Sequence, residues 1–142
     1  MKVIFLDFDG VLITREYHII GEDGCTPYPH EYLINKLHQL IEKTGAQIVV
    51  SSSWRLYFTD EELSKIINHP VIGQTIHDYP KYKSRGEEIA HYLREHRDID
   101  NYVIVDDEDD MLKEQAYHFV HCKNHEGLTD EKIEEAIKIL ED

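Results

Sequence analysis

Asp7 and Asp9 stand two residues apart at the end of the apolar run Val3 to Leu6, and Gly10 follows at once. In extended chain, side chains two apart point the same way, so both carboxylates face one site while Phe8 points elsewhere. Two more acidic groups, Asp106 and Asp107, follow a second apolar run, YVIV, inside the stretch DDEDD. If Asp107 joins the first pair, three carboxylates crowd together. Two unit charges about 4 Å apart repel by roughly 4 kcal/mol at an effective dielectric near 20, so the cluster needs a cation or a proton. All-oxygen ligands point to a hard ion, and few carboxylates with room for water and a phosphate oxygen suit Mg²⁺ better than a Ca²⁺ cage. A carboxylate held against a metal-bound phosphoryl group can act as nucleophile and form an aspartyl phosphate, while a second handles the leaving-group proton. Gly10 lets the chain turn sharply there.

Each cluster has a plainer explanation taken singly. Asp7 and Asp9 could be strand-end residues exposed to water, DDEDD a solvated turn or helix start, and Ser51 to Ser53 ordinary turn formers. The joint pattern favours a site, because each cluster follows immediately on an apolar strand.

The elements that must position these groups alternate in type. Lys2 to Leu6, AQIVV and YVIV read as strands buried on both faces. Residues 10 to 28 carry Gly10, Gly21, Gly24 and Pro27 around Ile19 and Ile20, which predicts a loop or small hairpin flap. Helical spacing predicts helices from Pro29 to Lys43, over TDEELSKIINH with Thr59 or Asp60 as N-cap, from Arg85 to Glu95, and from Asp130 to Leu140. A short strand near VIGQTI, a short helix from Met111 to Gln115 and a strand in YHFVHC complete the pattern. Such alternation implies a doubly wound α/β fold, a Rossmann-like parallel sheet in a three-layer αβα sandwich, with functional groups beyond the strands' carboxyl ends.

Composition narrows the partners. At 142 residues the chain is the size of one ordinary domain, and residues 1–142 are expected to form one. Its formal net charge of -14 argues against general nucleic-acid binding and against anionic membranes, though not against an enzyme that touches a nucleic-acid end. Cys25 and Cys122 lack metal or disulfide-framework spacing and read as reduced thiols. No apolar run is long enough for a signal core or a bilayer span, so the cytoplasm is the expected compartment. The stretch HFVHCKNH superficially suggests zinc, but on a strand His118 and Cys122 share one face and His121 the other, so with His125 they do not converge.

With these residues assembled, the chain resembles the haloacid dehalogenase (HAD) superfamily of phosphotransferases. FLDFDGVL is similar to its first motif, VVSS to its second, KYKSRGEEI to its basic third and VIVDDEDD to its acidic fourth, in order across nearly the whole sequence. The resemblance implies a phosphomonoester hydrolase with Asp7 as nucleophile and Asp9 as general acid. Ser51 and Ser52 would contact the phosphoryl group, and a third-motif cation would offset its charge, Lys83 foremost with Lys81 and Arg85 as competitors. It also implies a Mg²⁺ shell of Asp7, the Asp9 carbonyl, Asp107, water and phosphate. Asp106 would stand behind these ligands, and Asp110 would either support them or decorate a helix start.

Neither gap between motifs is long enough for a cap domain, so the site is expected to be open to a phosphorylated small molecule or nucleic-acid end. SSWR, RGEEI and DDEDDM are similar to small capless HAD domains of RNA-repair enzymes. Arg55, the KYKSR segment and Tyr57, Phe58, Tyr79 and Tyr82 would then be available to a nucleic acid, although for any one of the aromatics a core or rim place is the favoured reading. The alternative is a non-catalytic HAD-like module that binds Mg²⁺ or a phosphorylated partner. Phospho-accepting receiver domains fit poorly, because their acidic pair and acceptor Asp lie on different strands in another order.

Overall fold

The computed structural model describes residues 1–141. Five strands, β1 (Lys2–Leu6), β4 (Gln47–Val50), β5 (Val71–Gln74), β6 (Asn101–Asp106) and β7 (Phe119–His121), form one parallel sheet in the order β5-β4-β1-β6-β7. The remaining strands, β2 (Ile19–Ile20) and β3 (Pro27–Tyr28), make a small antiparallel hairpin in the segment expected to form a flap.

Alternation along the central strands divides the core in two. Val3, Phe5, Val49 and Ile104 pack with Ile89 and Tyr92 of α3 (Arg85–Glu95). Their neighbours Ile4, Leu6, Ile48, Val50, Val103 and Val105 pack with α1 (Glu31–Thr44), α2 (Asp60–Ile67) and α4 (Asp130–Glu141). Both faces of the sheet are thus covered, which is why these strands read as unbroken apolar runs. The result is the three-layer αβα architecture of a small HAD-like fold, with no cap inserted in either gap.

Local signals set the helix ends. Gly45 closes α1 in the left-handed region at φ 69, and its N–H bonds to the Ile41 carbonyl. Thr59, rather than Asp60, is the N-cap of α2 and forms a reciprocal capping box with Glu62; Ser84 and Glu87 do the same for α3. Between β6 and β7 the structure departs from expectation. Instead of a helix over Met111 to Gln115, a 3₁₀ turn spans Lys113–His118, and the strand expected over YHFVHC shortens to Phe119–His121. Two long-range contacts hold this turn. The Gln115 amide donates to the Gly86 carbonyl at 2.9 Å, and the His118 ring stacks on Tyr102 at 3.9 Å between centroids. Among the described residues, no helix is long and apolar enough to cross a membrane.

The Thr59 cap has a measurable weight. Thr59→Ala should destabilise the protein by about 1 kcal/mol in urea unfolding, and by more than Asp60→Ala does. An equal or larger loss in the Asp60 variant would move the cap.

Candidate active site

The register of three strands builds the site. Leu6 lies opposite Val50 on one side and Val105 on the other, so Asp7, Ser51 and Asp106 leave the sheet at one level. Two bonds continue the ladder: the Asp7 N–H donates to the Val105 carbonyl at 3.1 Å, and the Ser51 N–H to the Leu6 carbonyl at 2.9 Å. Beyond Asp7 the chain turns tightly around the Phe8 carbonyl, which accepts from the N–H groups of Val11, Leu12 and Ile13. Gly10 sits in that turn at φ 80, and a Cβ there would lie 2.2 Å from Asp107 Oδ2. Glycine therefore serves the turn and also leaves space for the Asp107 carboxylate.

Carboxylate oxygens of Asp7, Asp106 and Asp107 all lie within 4.8 Å of one another. Asp7 and Asp106 are buried, and Asp107 is half-buried. Arg85, the first residue of α3, inserts its guanidinium between two of them, with Nη1 3.0 Å from Asp7 Oδ1 and 2.8 Å from Asp106 Oδ2. Burial pushes the Asp7 carboxyl up to about 9, the Asp106 charge adds to this, and Arg85 opposes it. Asp106 is also raised, again chiefly by burial. Burial pulls the Arg85 pKa down, but Asp7 and Asp106 outweigh it and leave Arg85 above its ordinary value.

Asp9 has a different environment. Its residue is exposed at the mouth of a cleft, yet partial desolvation raises its carboxyl, a hydrogen bond from the Trp54 indole lowers it, and the Asp107 charge raises it. Two carboxylates of one motif thus have distinct surroundings, which is how acid and nucleophile roles are commonly separated.

The serines divide in the same way. Ser52 is fully buried, and its hydroxyl accepts from the Trp54 N–H at 3.2 Å, capping the 3₁₀ turn Ser53–Leu56. Ser52 thus accepts a backbone bond and keeps its own O–H as a donor, whereas the buried Ser51 Oγ has no partner among the described residues. An orphaned hydroxyl at the end of β4 suits a phosphoryl oxygen.

In the basic third segment Arg85, and not Lys83 or Lys81, reaches the carboxylates. Lys83 is exposed, and its ammonium makes no ion pair among the described residues; Lys81 lies 5.5 Å from the Tyr82 ring centroid. The reason is local: Ser84 caps α3, so Arg85 opens the helix and turns back toward β1 and β6. Asp110 decorates a helix start, but that of α3, because its carboxylate accepts from the Arg85 N–H at 3.0 Å.

Arg55 corrects the sequence reading. Instead of being available to a nucleic acid, its buried guanidinium pairs with buried Glu88 at 3.0 Å and donates to the carbonyls of Ser52 and Thr75. Glu88 lies 33 residues further on, and no spacing signal links the two. Trp54 as the partner of Asp9 was also missed, although an indole donor directly after the serine cluster was a visible signal. Of the four proposed aromatics, Tyr57 and Tyr79 are exposed, while Phe58 packs partly against the core and Tyr82 bonds to His91. The His118–His125 stretch forms no metal cluster among the described residues, and the Cys122 thiol, buried, is pushed up to about 12.

The raised Asp7 carboxyl makes a signed prediction for chelated protein. A folded value near 9 against an unfolded value near 4 means that the folded state keeps a proton which the unfolded chain releases between them. Stability from this group is present at low pH and falls as pH rises from about 4 to about 9, by at most about 1.4 kcal/mol per pH unit. Urea unfolding of wild type and Asp7→Asn between pH 5 and 8 should show a flatter slope in the variant; equal slopes contradict the assignment.

No curated protein matches the chain. A family model described as the HAD domain in Swiss Army Knife RNA repair proteins matches residues 3–133, nearly the whole length. The motifs on β1, β4, the start of α3 and β6 that suggested the HAD superfamily all fall within that match. The chain therefore belongs to this family of HAD domains, a family of the HAD phosphoesterase type.

Proposed function

We propose that this protein is a Mg²⁺-dependent phosphomonoester hydrolase that works through an aspartyl phosphate, with a nucleotide or nucleic-acid end as substrate. The observation that carries this reading is the pairing of a buried, arginine-held Asp7 with an exposed Asp9 at the mouth of a cleft. The family described as belonging to RNA-repair proteins supports the substrate class. The charge of -14 argues that the enzyme contacts an end and not a length of nucleic acid.

The donor set fits a hard divalent cation: three carboxylates cluster beside one arginine, and burial together with the Asp106 charge raises the Asp7 carboxyl. Asp7, Asp107 and the Asp9 carbonyl oxygen would hold the ion. When bound, Mg²⁺ supplies the charge that lets these carboxylates ionise together and that offsets the phosphoryl oxygens.

Arg85 engages Asp7 Oδ1 and fixes the carboxylate, leaving the other oxygen to attack phosphorus. As that bond forms, the bond from phosphorus to the ester oxygen breaks, and Asp9 gives its proton to the departing alkoxide. Asp9, now ionised, takes a proton from the water that attacks phosphorus, and the bond from phosphorus to the Asp7 oxygen breaks. Inorganic phosphate leaves and Asp7 is regenerated. The Ser51 hydroxyl donates to a phosphoryl oxygen throughout, a positioning and electrostatic role in keeping with phosphoryl transfer generally.

Phosphate release with Mg²⁺ should be measured on small, nucleotide, nucleic-acid-end and phosphopeptide monoesters. Asp7→Asn should abolish it, by on the order of 10³-fold or more, and Asp9→Asn should lower it by about 10² to 10⁴. Release undiminished in Asp7→Asn overturns the nucleophile. No release from any ester, with Mg²⁺ still bound, favours the non-catalytic binding module.

A further inference from the structure

If Asp9 protonates the leaving oxygen, the leaving group lies on the Asp9 side of the phosphoryl group. On that side the structure has a cleft of about 410 Å³, within the size range of small-molecule sites. One wall is an aromatic block: Trp54 stacks on Phe58 at 5.2 Å, and Tyr28 meets Trp54 edge-on at 4.9 Å. At the rim stands Tyr57, 79% exposed although it is a large ring beside a largely buried one. Asp23, in the loop of the β2–β3 hairpin, also lines the cleft.

We infer that this cleft is the leaving-group subsite and that it takes the base of a nucleoside phosphate, an inference that rests on the hydrolase reading above. Three features select that ligand. The wall is aromatic and apolar, Tyr57 at its rim is largely exposed, and every nucleobase has a π-face to stack on such a ring. The polar groups of the cleft include acceptors. The Asp23 carboxylate receives the N–H groups of Cys25 and Thr26 and the Thr26 hydroxyl. An ionised carboxylate has about four acceptor sites, so one remains for an amino or imino N–H on the base edge. Finally, no lysine or arginine lines the cleft among its described residues, while Asp9 and Asp23 do. A second phosphate is repelled there, so the cleft holds the nucleoside alone. A tyrosine ring from a phosphopeptide could enter the same space, but its edge carries only C–H groups next to the leaving oxygen and offers Asp23 no donor.

Trp54 is the chain's one tryptophan and lines the cleft, so its fluorescence reports occupancy without metal, phosphate or turnover. The full chain should be titrated with adenosine and cytidine, with ribose and phenol as comparisons, in wild type and Tyr57→Ala. Saturable quenching by the nucleosides, weakened about tenfold in Tyr57→Ala and absent with ribose, is the expected result. The ratio of kcat/KM for a nucleoside monophosphate to that for glycerol phosphate should fall by a similar factor. No nucleoside quenching, or quenching indifferent to Tyr57→Ala, overturns the subsite, and tighter binding of phenol than of either nucleoside reassigns it to an aryl phosphate. Nucleoside quenching without phosphate release from any ester keeps the base site and overturns the hydrolase reading instead.

Discussion

Three carboxylates lie within 4.8 Å of one another and one arginine reaches two of them, and the rest of the molecule is arranged around that imbalance. Each pair of ionised oxygens at that separation repels by roughly 3 to 4 kcal/mol at an effective dielectric near 20. Arg85 relieves part of this through its bonds to Asp7 and Asp106, while burial and the Asp106 charge raise the Asp7 carboxyl. A fold that served only stability would not gather these groups at the end of its central strand. A site that recruits a cation and a phosphoryl group gains from doing so.

The constraint reaches outward through rigid elements. β1 is central, so its end meets the ends of β4 and β6 without any long loop to hold them. Arg85 opens α3, and Asp110 from the loop after β6 caps that same helix, so the cation and the fourth motif are fastened to one another. The buried Arg55–Glu88 pair does the same for the second motif, tying the Ser52 carbonyl and β5 to α3. Buried ion pairs contribute little net stability, but they fix relative position, and here the pair connects the serine segment after β4 to α3, the helix that Arg85 opens.

Much of this was legible in the sequence because burial on both faces writes itself as apolar runs. β1, β4 and β6 and the polar residues at their ends could be read directly, as could the hairpin around Ile19 and the Thr59 cap region. What could not be read depends on contacts far apart in sequence. The turn before β7 follows from Gln115 reaching Gly86 and His118 stacking on Tyr102, neither of which leaves a local trace. Three cations within five residues made the third motif ambiguous. The S-R-G-E capping box makes Arg85 the first helical residue, where it meets Asp7 and Asp106, and that box was present in the sequence. The burial of Arg55 was not, because its partner Glu88 looks like any other helical glutamate.

The central claim is that the carboxylate cluster is a cation site with Asp107 as a ligand. The most direct measurement is the thermal unfolding midpoint of wild type and Asp107→Ala, each with and without saturating Mg²⁺. Binding to the folded state alone stabilises by about 2.7 kcal/mol at a hundredfold excess over Kd, so the wild-type midpoint should rise by several degrees. The rise should shrink in Asp107→Ala. A wild-type midpoint unmoved by Mg²⁺, or an equal rise in the variant, would contradict the account.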